Sequence, residues 1–264
     1  MILVVGEFIQ DKFIYCSADR LSPESCCPVA KELFSETNDG GAANVVNNLK
    51  SLGRQDVKFI HQDNEIIKTR YVHKNSGHHI VRIDKEEYCK PLNIDTLIEF
   101  VGSNVQELEM IVISDYCKGF ITEDLIADIR NSFSCKIIID TKKKAGSWIQ
   151  NVDFIKINKK EFKENFLPYN AKNEIGRLLK NTNLFVTLGE KGVYHFNTDS
   201  TIKTKEREAN CVSGAGDSYL AGFVTKYLSC NDINESLKYA NKVASIAVSK
   251  RGVVSVSEAE VHDL

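Results

Sequence analysis

The stretch MIVISDYCKGFITEDLIADIRNSFSCKIIIDT, residues 110–141, decides the fold class of the chain. It contains two short apolar runs, MIVISD (110–115) and KIIIDT (136–141), on either side of the helix-like segment ITEDLIADIRNSF. Runs that are apolar on both faces and rich in β-branched residues are typical of parallel strands covered by helices. The stretch therefore predicts a strand, a helix and a second parallel strand, which indicates an α/β fold.

The same alternation continues along the chain. Further strands are predicted at ILVVG (2–6), FIKIN (154–158) and LFVTLG (184–189). Further helices are predicted at AANVVNNLKSLG, KKEFKENFL, NEIGRLLKNT and DSYLAGFVTKYLS, several of them closed by Gly or Asn. The resulting fold is a mainly parallel central sheet flanked by helices.

Two segments, residues 12–37 and 69–86, break this rhythm. They contain β-type residues and turn signals, including an Asn-Ser-Gly turn in RYVHKNSGHHIVRID. We expect them to form a small antiparallel sheet beside the main one, suited to act as a lid. Because no repeat or linker is visible, the sequence predicts a single domain over residues 1–264 with this lid attached.

Bulk composition excludes several classes of protein. Hydrophobic residues make up 42% and charged residues 27% of the chain, and the formal net charge is −2. This balance gives no general basic field, so a nucleic-acid partner is not expected. No apolar run approaches the ~20 residues that span a bilayer, and MILVVGEF begins as a strand without signal-peptide features. The eight cysteines form no CxxC pair, so we expect reduced thiols in a cytoplasmic protein without a membrane partner.

The stretch CVSGAGDSYLAGF (211–223) is the first candidate site. Gly214 and Gly216 stand directly before a predicted helix, where bare N–H groups and the helix dipole attract anions. One interpretation is an ordinary strand-to-helix turn with Asp217 in the first helical turn. The functional alternative is an anion hole at residues 214–217 for a transferring phosphoryl group, with Asp217 deprotonating the acceptor hydroxyl.

The stretch NDGGAANVVNNLKSLG is the second candidate. Gly40 and Gly41 precede a helix that is predicted to begin near Ala42, and Asn44 projects from its first turn. The glycine pair either allows close packing under a cap from Asp39, or lets a polar small molecule approach the backbone. In the second case Asn44 would bind a hydroxyl of that molecule.

The stretch INKKEF is the third candidate. Asn158 and Glu161 follow a predicted strand and lie at i, i+3 on a new helix, so their side chains face the same side. Such an oxygen-only pair is suited to the water shell of Mg²⁺. An N-cap with a capping-box glutamate is an equally good interpretation.

The stretch VTLGEKGVYHF is the fourth candidate, with a strand, a glycine-containing turn and a second strand. Thr187 and Gly189 would lie at the carboxyl end of the sheet, where open α/β proteins bind ligands. A plain β-turn is the alternative interpretation.

The order of these motifs resembles that of the ribokinase/PfkB family of sugar kinases, over nearly the whole chain. Within this family, the chain is most similar to kinases of D-glycero-D-manno-heptose 7-phosphate. The stretches that suggest this are RLSPESCCPVAKE, GGAANVVNNLKSLG, ISDYCKGF, IIIDTKK and HHIVRIDKEE. The resemblance implies a ribokinase-like fold with a β-strand lid. It also implies ATP- and Mg²⁺-dependent transfer of the γ-phosphoryl group to the anomeric C1 hydroxyl of a heptose 7-phosphate.

The resemblance assigns roles by position. Asp217 would be the catalytic base, beside an anion hole of Gly214, Ala215 and Gly216. The expected nucleotide and metal residues are Asn158 and Glu161 for Mg²⁺ through water, Thr187 and Gly189 for the ATP phosphates, and Asn241 beside the adenine. The expected sugar residues are Asp11, Gly40, Gly41 and Asn44, with Lys118 and Arg82 as candidates for the phosphate of the sugar.

Three features depart from the family pattern. Glu7 replaces the first acid of the GDxxxD opening, which is expected to reshape the sugar pocket. Cys211 replaces the acid that begins the D-x-[TS]-G-A-G-D motif and helps a loop bind a monovalent cation, so activation by potassium is in doubt. The segment between Gly53 and Thr69 is shorter than the strand-helix-strand passage of the family.

Two other functions stay open on these grounds. One is a PfkB-type kinase for another sugar, sugar phosphate or nucleoside. The other is a catalytically silent sugar- or nucleotide-binding homologue, which the shortened segment and Cys211 motivate. Because the kinase-like part extends to the end of the sequence, we expect only the kinase step, and an exposed lid edge predicts a homodimer through the lid.

Overall fold

The computed structural model describes residues 1–85, 88–166, 172–205, 207–250 and 252–262. Its strands are β1 (Ile2–Gly6), β2 (Phe8–Ser17), β3 (Lys31–Gly41), β4 (Val57–Ile60), β5 (Ile67–His73), β6 (His79–Lys85), β7 (Met110–Asp115), β8 (Lys136–Thr141), β9 (Phe154–Asn158), β10 (Asn183–Thr187), β11 (Val193–His195) and β12 (Ser200–Ile202). Its α-helices are α1 (Ala42–Ser51), α2 (Ile94–Val101), α3 (Glu123–Ser132), α4 (Lys159–Glu161), α5 (Lys172–Leu178), α6 (Ala215–Cys230), α7 (Ile233–Ser249) and α8 (Glu258–His262).

Eight of the described strands form the main sheet, in the order β12-β11-β10-β9-β8-β7-β1-β4. The strands from β4 to β10 in this order are parallel, and β11 and β12 add an antiparallel edge. The predicted bounds of β1, β7, β8 and β9 agree with the structure, whereas β10 begins one residue and ends two residues earlier than predicted. The predicted α/β fold with a mainly parallel sheet is confirmed.

Each central strand buries side chains on both faces of the sheet. In β7, Ile111 and Ile113 pack on the face covered by α2 and α3, whereas Met110 and Val112 pack on the face covered by α1, α6 and α7. This explains why these strands are apolar at consecutive positions. Burial on both faces fixes the register of the sheet and thereby the positions of the residues at the carboxyl ends of its strands.

The lid is a second sheet with the strand order β3-β2-β5-β6. Its outer pairs are antiparallel as expected, but the central pair β2 and β5 is parallel. The reason is topological: β2 leaves the main sheet after β1 and β5 leaves it after β4, and β1 and β4 are themselves parallel. Residue 86 of the predicted lid and residue 167 of the predicted helix KKEFKENFL lie outside the described residues.

The edge strands of the lid expose apolar side chains, among them Leu33, Val81 and Ile83. The homodimer through the lid stays a prediction.

Between Gly53 and Thr69, the short segment supplies β4, which ends the main sheet, and then enters the lid. No helix among the described residues is long and apolar enough to cross a membrane.

Candidate active site

The carboxyl ends of β7, β8 and β9 meet the N-terminus of α6 around a cavity of about 190 Å³. The parallel sheet brings these ends to one edge, and α6 closes that edge from above. The lining residues are Asp115, Tyr116, Asp140, Thr141, Lys142, Lys156, Asn158, Glu161, Gly214, Gly216 and Asp217. The third candidate stretch and the GAGD stretch therefore lie in one site.

The GAGD corner leaves no room for larger side chains. Gly214 is the N-cap of α6 with φ 79°, and a Cβ there would lie 2.8 Å from Nδ2 of Asn44. A Cβ on Gly216 would lie 2.8 Å from Nζ of Lys156. The N–H of Ala215 makes only a long contact of 3.4 Å with the carbonyl of Val212. Because the first N–H groups of a helix lack intrahelical partners, this corner is suited to an anion.

Asp217 is a buried carboxylate in the first turn of α6. Its Oδ2 accepts a hydrogen bond from Nδ2 of Asn44 at 2.8 Å, and its Oδ1 accepts one from the hydroxyl of Tyr116 at 3.1 Å. Burial raises the pKa of Asp217 to about 6, against the hydrogen bond from Asn44, and the charge of Asp140 adds to the rise. A carboxylate with this pKa is ionised at neutral pH and is basic enough to accept a proton.

Asn44 comes from the second candidate stretch, 173 positions away from Asp217 in the sequence. Its Oδ1 accepts a hydrogen bond from Nδ2 of Asn48 at 3.1 Å, which directs its amide group toward Asp217. Helix α1 begins at Ala42 as predicted, but its N-cap is Gly41 with φ 61°, and not Asp39. The structure thus joins Asn44 to the proposed base, and its role toward a sugar hydroxyl stays a prediction.

The sugar-binding candidates at the lid base are already paired with protein groups. Asp11 forms an ion pair with Arg70 of β5, and both side chains are largely buried. Gly40 pairs with Ile9 across β2 and β3, and a Cβ on Gly40 would collide with Oδ2 of Asp11. Asp11 and Gly40 are therefore neighbours, with Arg70 as a third member that the motifs did not indicate.

Lys156 is a buried cation that the sequence motifs also missed. Its Nζ lies 2.5 Å from Oδ2 of Asp140, directly behind Gly216. Burial works to lower the pKa of Lys156, but the charge and hydrogen bond of Asp140, together with the charges of Asp217 and Glu161, outweigh it, so the pKa is raised. The signal in the sequence was a charged residue inside the otherwise apolar strand FIKIN.

Asn158 and Glu161 form a capping box at the start of α4. Oδ1 of Asn158 accepts the N–H of Lys160 and of Glu161, each at 2.9 Å, and Oε2 of Glu161 accepts the N–H of Asn158 at 2.8 Å. The capping-box interpretation is therefore confirmed, and the magnesium interpretation stays a prediction, although the same two residues also line the cavity. Burial raises the pKa of Glu161, and the charge of Asp140 adds to this rise.

The cavity fits a hydrated magnesium ion in its chemistry. Four carboxylates line it, but only two lysines do. The described residues hold no cluster of three or more His, Cys, Asp or Glu side chains that would chelate a metal directly. Oxygen ligands without direct chelation are what Mg²⁺ accepts when it keeps several waters, so Asn158 and Glu161 are suited to hold it in that way.

A larger cavity of about 550 Å³ adjoins the first and shares Asn158 and Gly216 with it. Thr187, Gly189 and Asn241 line this larger cavity, so the structure brings the predicted nucleotide residues together. The amide of Asn241 donates to the carbonyl of Ile202 at 3.0 Å, which ties α7 to β12. The side chain of Asn241 therefore supports the wall of the cavity.

Two candidates for the phosphate of the sugar do not line either cavity. Arg82 lies on the edge strand β6, where its Nε pairs with Oδ1 of Asp84 at 2.9 Å and its side chain is 55% exposed. Lys118 follows β7, and its N–H donates to Oε1 of Glu7 at 3.1 Å. Lys142, which the motifs did not indicate, lines the smaller cavity.

Glu7 does not shape an open sugar pocket as expected. Its carboxylate is fully buried and accepts the N–H groups of Tyr116 at 2.8 Å and of Lys118 at 3.1 Å. Burial raises the pKa of Glu7, and the charge of Asp115 adds to the rise. Glu7 therefore holds the loop that follows β7. At the Cys211 departure, the N–H donates to the carbonyl of Val248 at 3.1 Å and the thiol is free.

Comparison with solved structures places this architecture among ribokinase-like folds. A ribokinase from Thermotoga maritima superposes with a TM-score of 0.75 at 18% identity, covering 99% of this chain and 98% of that one. Phosphofructokinase-2 from Escherichia coli, in complex with substrates and products, gives a TM-score of 0.72 at 16% identity, covering 100% and 97%. The expected ribokinase-like fold with a β-strand lid is confirmed.

The model of the pfkB family carbohydrate kinases matches residues 71–260. The chain therefore belongs to the pfkB family of carbohydrate kinases, and the expected enzyme class, an ATP-dependent carbohydrate kinase, is confirmed at the level of the family. The bifunctional protein HldE of Campylobacter jejuni is 30% identical over 99% of this chain, and that of Campylobacter curvus is 31% identical over all of it. The chain spans 64% of the length of each of these relatives.

The ion pair of Lys156 and Asp140 should show strong energetic coupling. Lys156→Met leaves a carboxylate uncompensated in a mostly buried place, so we expect the free energy of unfolding to fall by about 3 kcal/mol or more. Adding Asp140→Asn should recover part of this loss, because the uncompensated charge is then gone. Urea unfolding of the two single variants and the double variant measures the coupling. Losses of unfolding free energy that add strictly would contradict the pairing. Lys238→Met is the matched control: Lys238 pairs with Glu235 at an exposed place, so we expect no measurable loss of unfolding free energy.

Proposed function

We propose that the protein is an ATP- and Mg²⁺-dependent kinase that transfers the γ-phosphoryl group to the C1 hydroxyl of a heptose 7-phosphate. The observation that carries the kinase chemistry is the buried carboxylate of Asp217, one turn into a helix whose bare N-terminus opens on the same cavity. General base and anion site are thus adjacent, as phosphoryl transfer to an alcohol requires.

Each step of the transfer has a candidate group. Asp217 takes the proton of the acceptor hydroxyl while the oxygen of that hydroxyl forms a bond to the γ-phosphorus. The bond between the γ-phosphorus and the bridging oxygen of ADP breaks at the same time. The N–H groups at Gly214, Ala215 and Gly216 and the ammonium of Lys156 lie where the three phosphoryl oxygens would carry negative charge. The lid covers the acceptor side and keeps water, a competing acceptor, away.

The nucleotide would occupy the larger cavity, with its phosphates toward the smaller one. Thr187 and Gly189 would contact the phosphates and Asn241 would border the adenine, and all three line the larger cavity. Bound magnesium would neutralise charge on the phosphates, and Asn158 and Glu161 would hold it through water. The smaller cavity has more carboxylates than lysines, which supports a requirement for Mg²⁺. Without the metal ion, the negatively charged phosphates would face side chains of like charge.

The choice of a phosphorylated heptose has two supports. The chain resembles heptose 7-phosphate kinases in five stretches, and its relatives named HldE align with nearly the whole of it. Cationic side chains also surround the acceptor side: Nζ of Lys142 lies 4.9 Å and Nζ of Lys68 lies 5.9 Å from the ring centroid of Tyr116. A dianionic phosphate remote from the reacting hydroxyl suits such a place.

A panel of acceptors tests the substrate. With ATP and Mg²⁺, we expect release of ADP to be fastest with heptose 7-phosphate, and slower by at least tenfold with unphosphorylated heptose, ribose, fructose 6-phosphate and nucleosides. ³¹P NMR of the product would place the new phosphate on C1. Faster turnover with another acceptor would replace the heptose, and background release throughout would favour a catalytically silent binding protein.

Asp217→Asn tests the base. We expect kcat to fall by at least ~100-fold, the usual scale of a general-base contribution, while the Kd for ATP stays within about threefold. Equilibrium binding of an ATP analogue and steady-state release of ADP measure the two quantities. An unchanged kcat would contradict the role of Asp217.

The pH dependence of kcat/KM follows from the pKa of Asp217, about 6. Only the ionised carboxylate accepts a proton, so the rate should be level above pH 7 and fall about tenfold per unit well below pH 6. The phosphate of the acceptor titrates in the same range, so its own pKa is measured by ³¹P NMR and the profile is corrected for it. A corrected profile that stays flat down to pH 5 would contradict the assignment.

A further inference from the structure

Tyr116 lies directly after β7, and its hydroxyl points inward to the carboxylate of Asp217. The hydroxyl donates to Oδ1 at 3.1 Å, while Nδ2 of Asn44 donates to Oδ2 at 2.8 Å. Each carboxylate oxygen therefore has one fixed donor, and the two donors come from different parts of the fold. Each oxygen also keeps a lone pair for a further hydroxyl.

Both ends of Tyr116 are held in place. Its N–H donates to Oε2 of the fully buried Glu7 at 2.8 Å, so the backbone cannot shift without breaking a hydrogen bond to a buried charge. The ammonium group of Lys142 lies 4.9 Å from the centroid of its ring, and the ammonium group of Lys68, from the lid, lies 5.9 Å from it. A side chain fixed at backbone, ring and hydroxyl is suited to orient its partner.

We propose that Tyr116 is a positioning residue for the general base: its hydroxyl holds the carboxylate of Asp217 ionised and fixed in the plane that faces the acceptor hydroxyl. The inference rests on the proposed function. It assigns a role to a residue of the ISDYCKGF stretch for which the sequence analysis gave none. It also explains why Glu7 is buried here, because the glutamate fixes the loop that carries Tyr116.

The charged groups around Tyr116 and Asp217 favour a tyrosine that donates a hydrogen bond and a carboxylate that accepts it. Asp217 faces Asp140 and Lys156, and Tyr116 faces Asp11, Asp140, Lys68 and Lys142. Burial, and then the charge of Asp217, raises the pKa of Tyr116 well above its usual range. The phenol therefore stays protonated, so it donates a hydrogen bond to the ionised carboxylate. A donor to the charged form stabilises that form, which works against burial and Asp140.

Tyr116→Phe removes the hydroxyl and little else. We expect the acidic limb of kcat/KM to move upward by roughly half to one pH unit, because the ionised base loses a donor. At pH 8, where the base is ionised in both proteins, kcat should still fall roughly three- to tenfold through lost orientation. The KM for ATP should not change. Tyr194→Phe is the matched control, because the hydroxyl of Tyr194 donates to Asp199 at 2.6 Å away from both cavities, and it should move neither quantity.

A titration without turnover separates this inference from the proposed function. With ¹³C-labelled aspartate, the signal that disappears in Asp217→Asn reports the pKa of Asp217 directly, and Tyr116→Phe should raise this pKa by the same half to one unit. If no acceptor is phosphorylated by the wild-type protein, the proposed function fails, and this titration still tests the hydrogen bond. An active wild-type protein whose limb and carboxyl pKa are unchanged in Tyr116→Phe would overturn the inference.

A second variant covers the case in which Tyr116→Phe does not fold. 3-Fluorotyrosine at position 116 keeps the shape of the side chain but is a stronger donor, so the limb and the carboxyl pKa should move downward. Shifts of opposite sign in the two variants are expected from a hydrogen bond to the base, whereas a purely structural role would move neither. A shift of the same sign in both would also overturn the inference.

Discussion

The hydrogen bond from Asn44 to Asp217 is the interaction on which the site depends. It joins the first turn of α1 to the first turn of α6, two segments 173 positions apart, at 2.8 Å. The close approach requires Gly214, because a Cβ there would lie 2.8 Å from the same amide nitrogen. The two glycine-rich stretches of the sequence are therefore halves of one contact. The parallel sheet makes the contact possible, because α1 and α6 pack side by side on the same face of it.

The fold carries a cost for this arrangement. The pKa of Asp217 rises from 3.8 to about 6, so the folded protein binds this proton more tightly than the unfolded chain. Proton binding at Asp217 therefore stabilises the folded protein. This contribution is fully present below pH 4 and is lost as pH rises through 6. At neutral pH, burial of the ionised group therefore costs roughly 3 kcal/mol. The apolar layers on both faces of the sheet offset this cost.

Much of the scaffold was predictable because burial on both faces leaves a plain record in the sequence. The strands at 2–6, 110–115, 136–141 and 154–158 have the predicted bounds, since each contains closely spaced apolar residues, most of them β-branched. The parallel central pair of the lid was not predictable, because strand direction there follows from the connections to the main sheet. The single-domain assignment and the roles of the site residues stay predictions.

Within the site, the sequence indicated residues with motifs and missed residues without them. Lys156 stands in an apolar strand and Tyr116 follows one, and only the tertiary structure shows that each faces Asp217 or its neighbours. Arg82 was chosen for its charge alone, and the structure pairs it with Asp84 at the lid edge. The motif of Asn158 and Glu161 stayed ambiguous because one geometry serves both a capping box and an oxygen-lined cavity.

The lid is attached to the main sheet by very short connections. β2 begins two residues after β1 ends, and β3 runs directly into α1. Gln62 fixes the same place, with hydrogen bonds of 2.9 and 2.7 Å to the N–H and carbonyl of Phe8. The ion pair of Asp11 and Arg70 lies just beyond these anchors. The base of the lid is therefore tied to the main sheet by short backbone connections and by side-chain hydrogen bonds. Glu7, which stands between β1 and β2, accepts the N–H of Tyr116 at this anchored place.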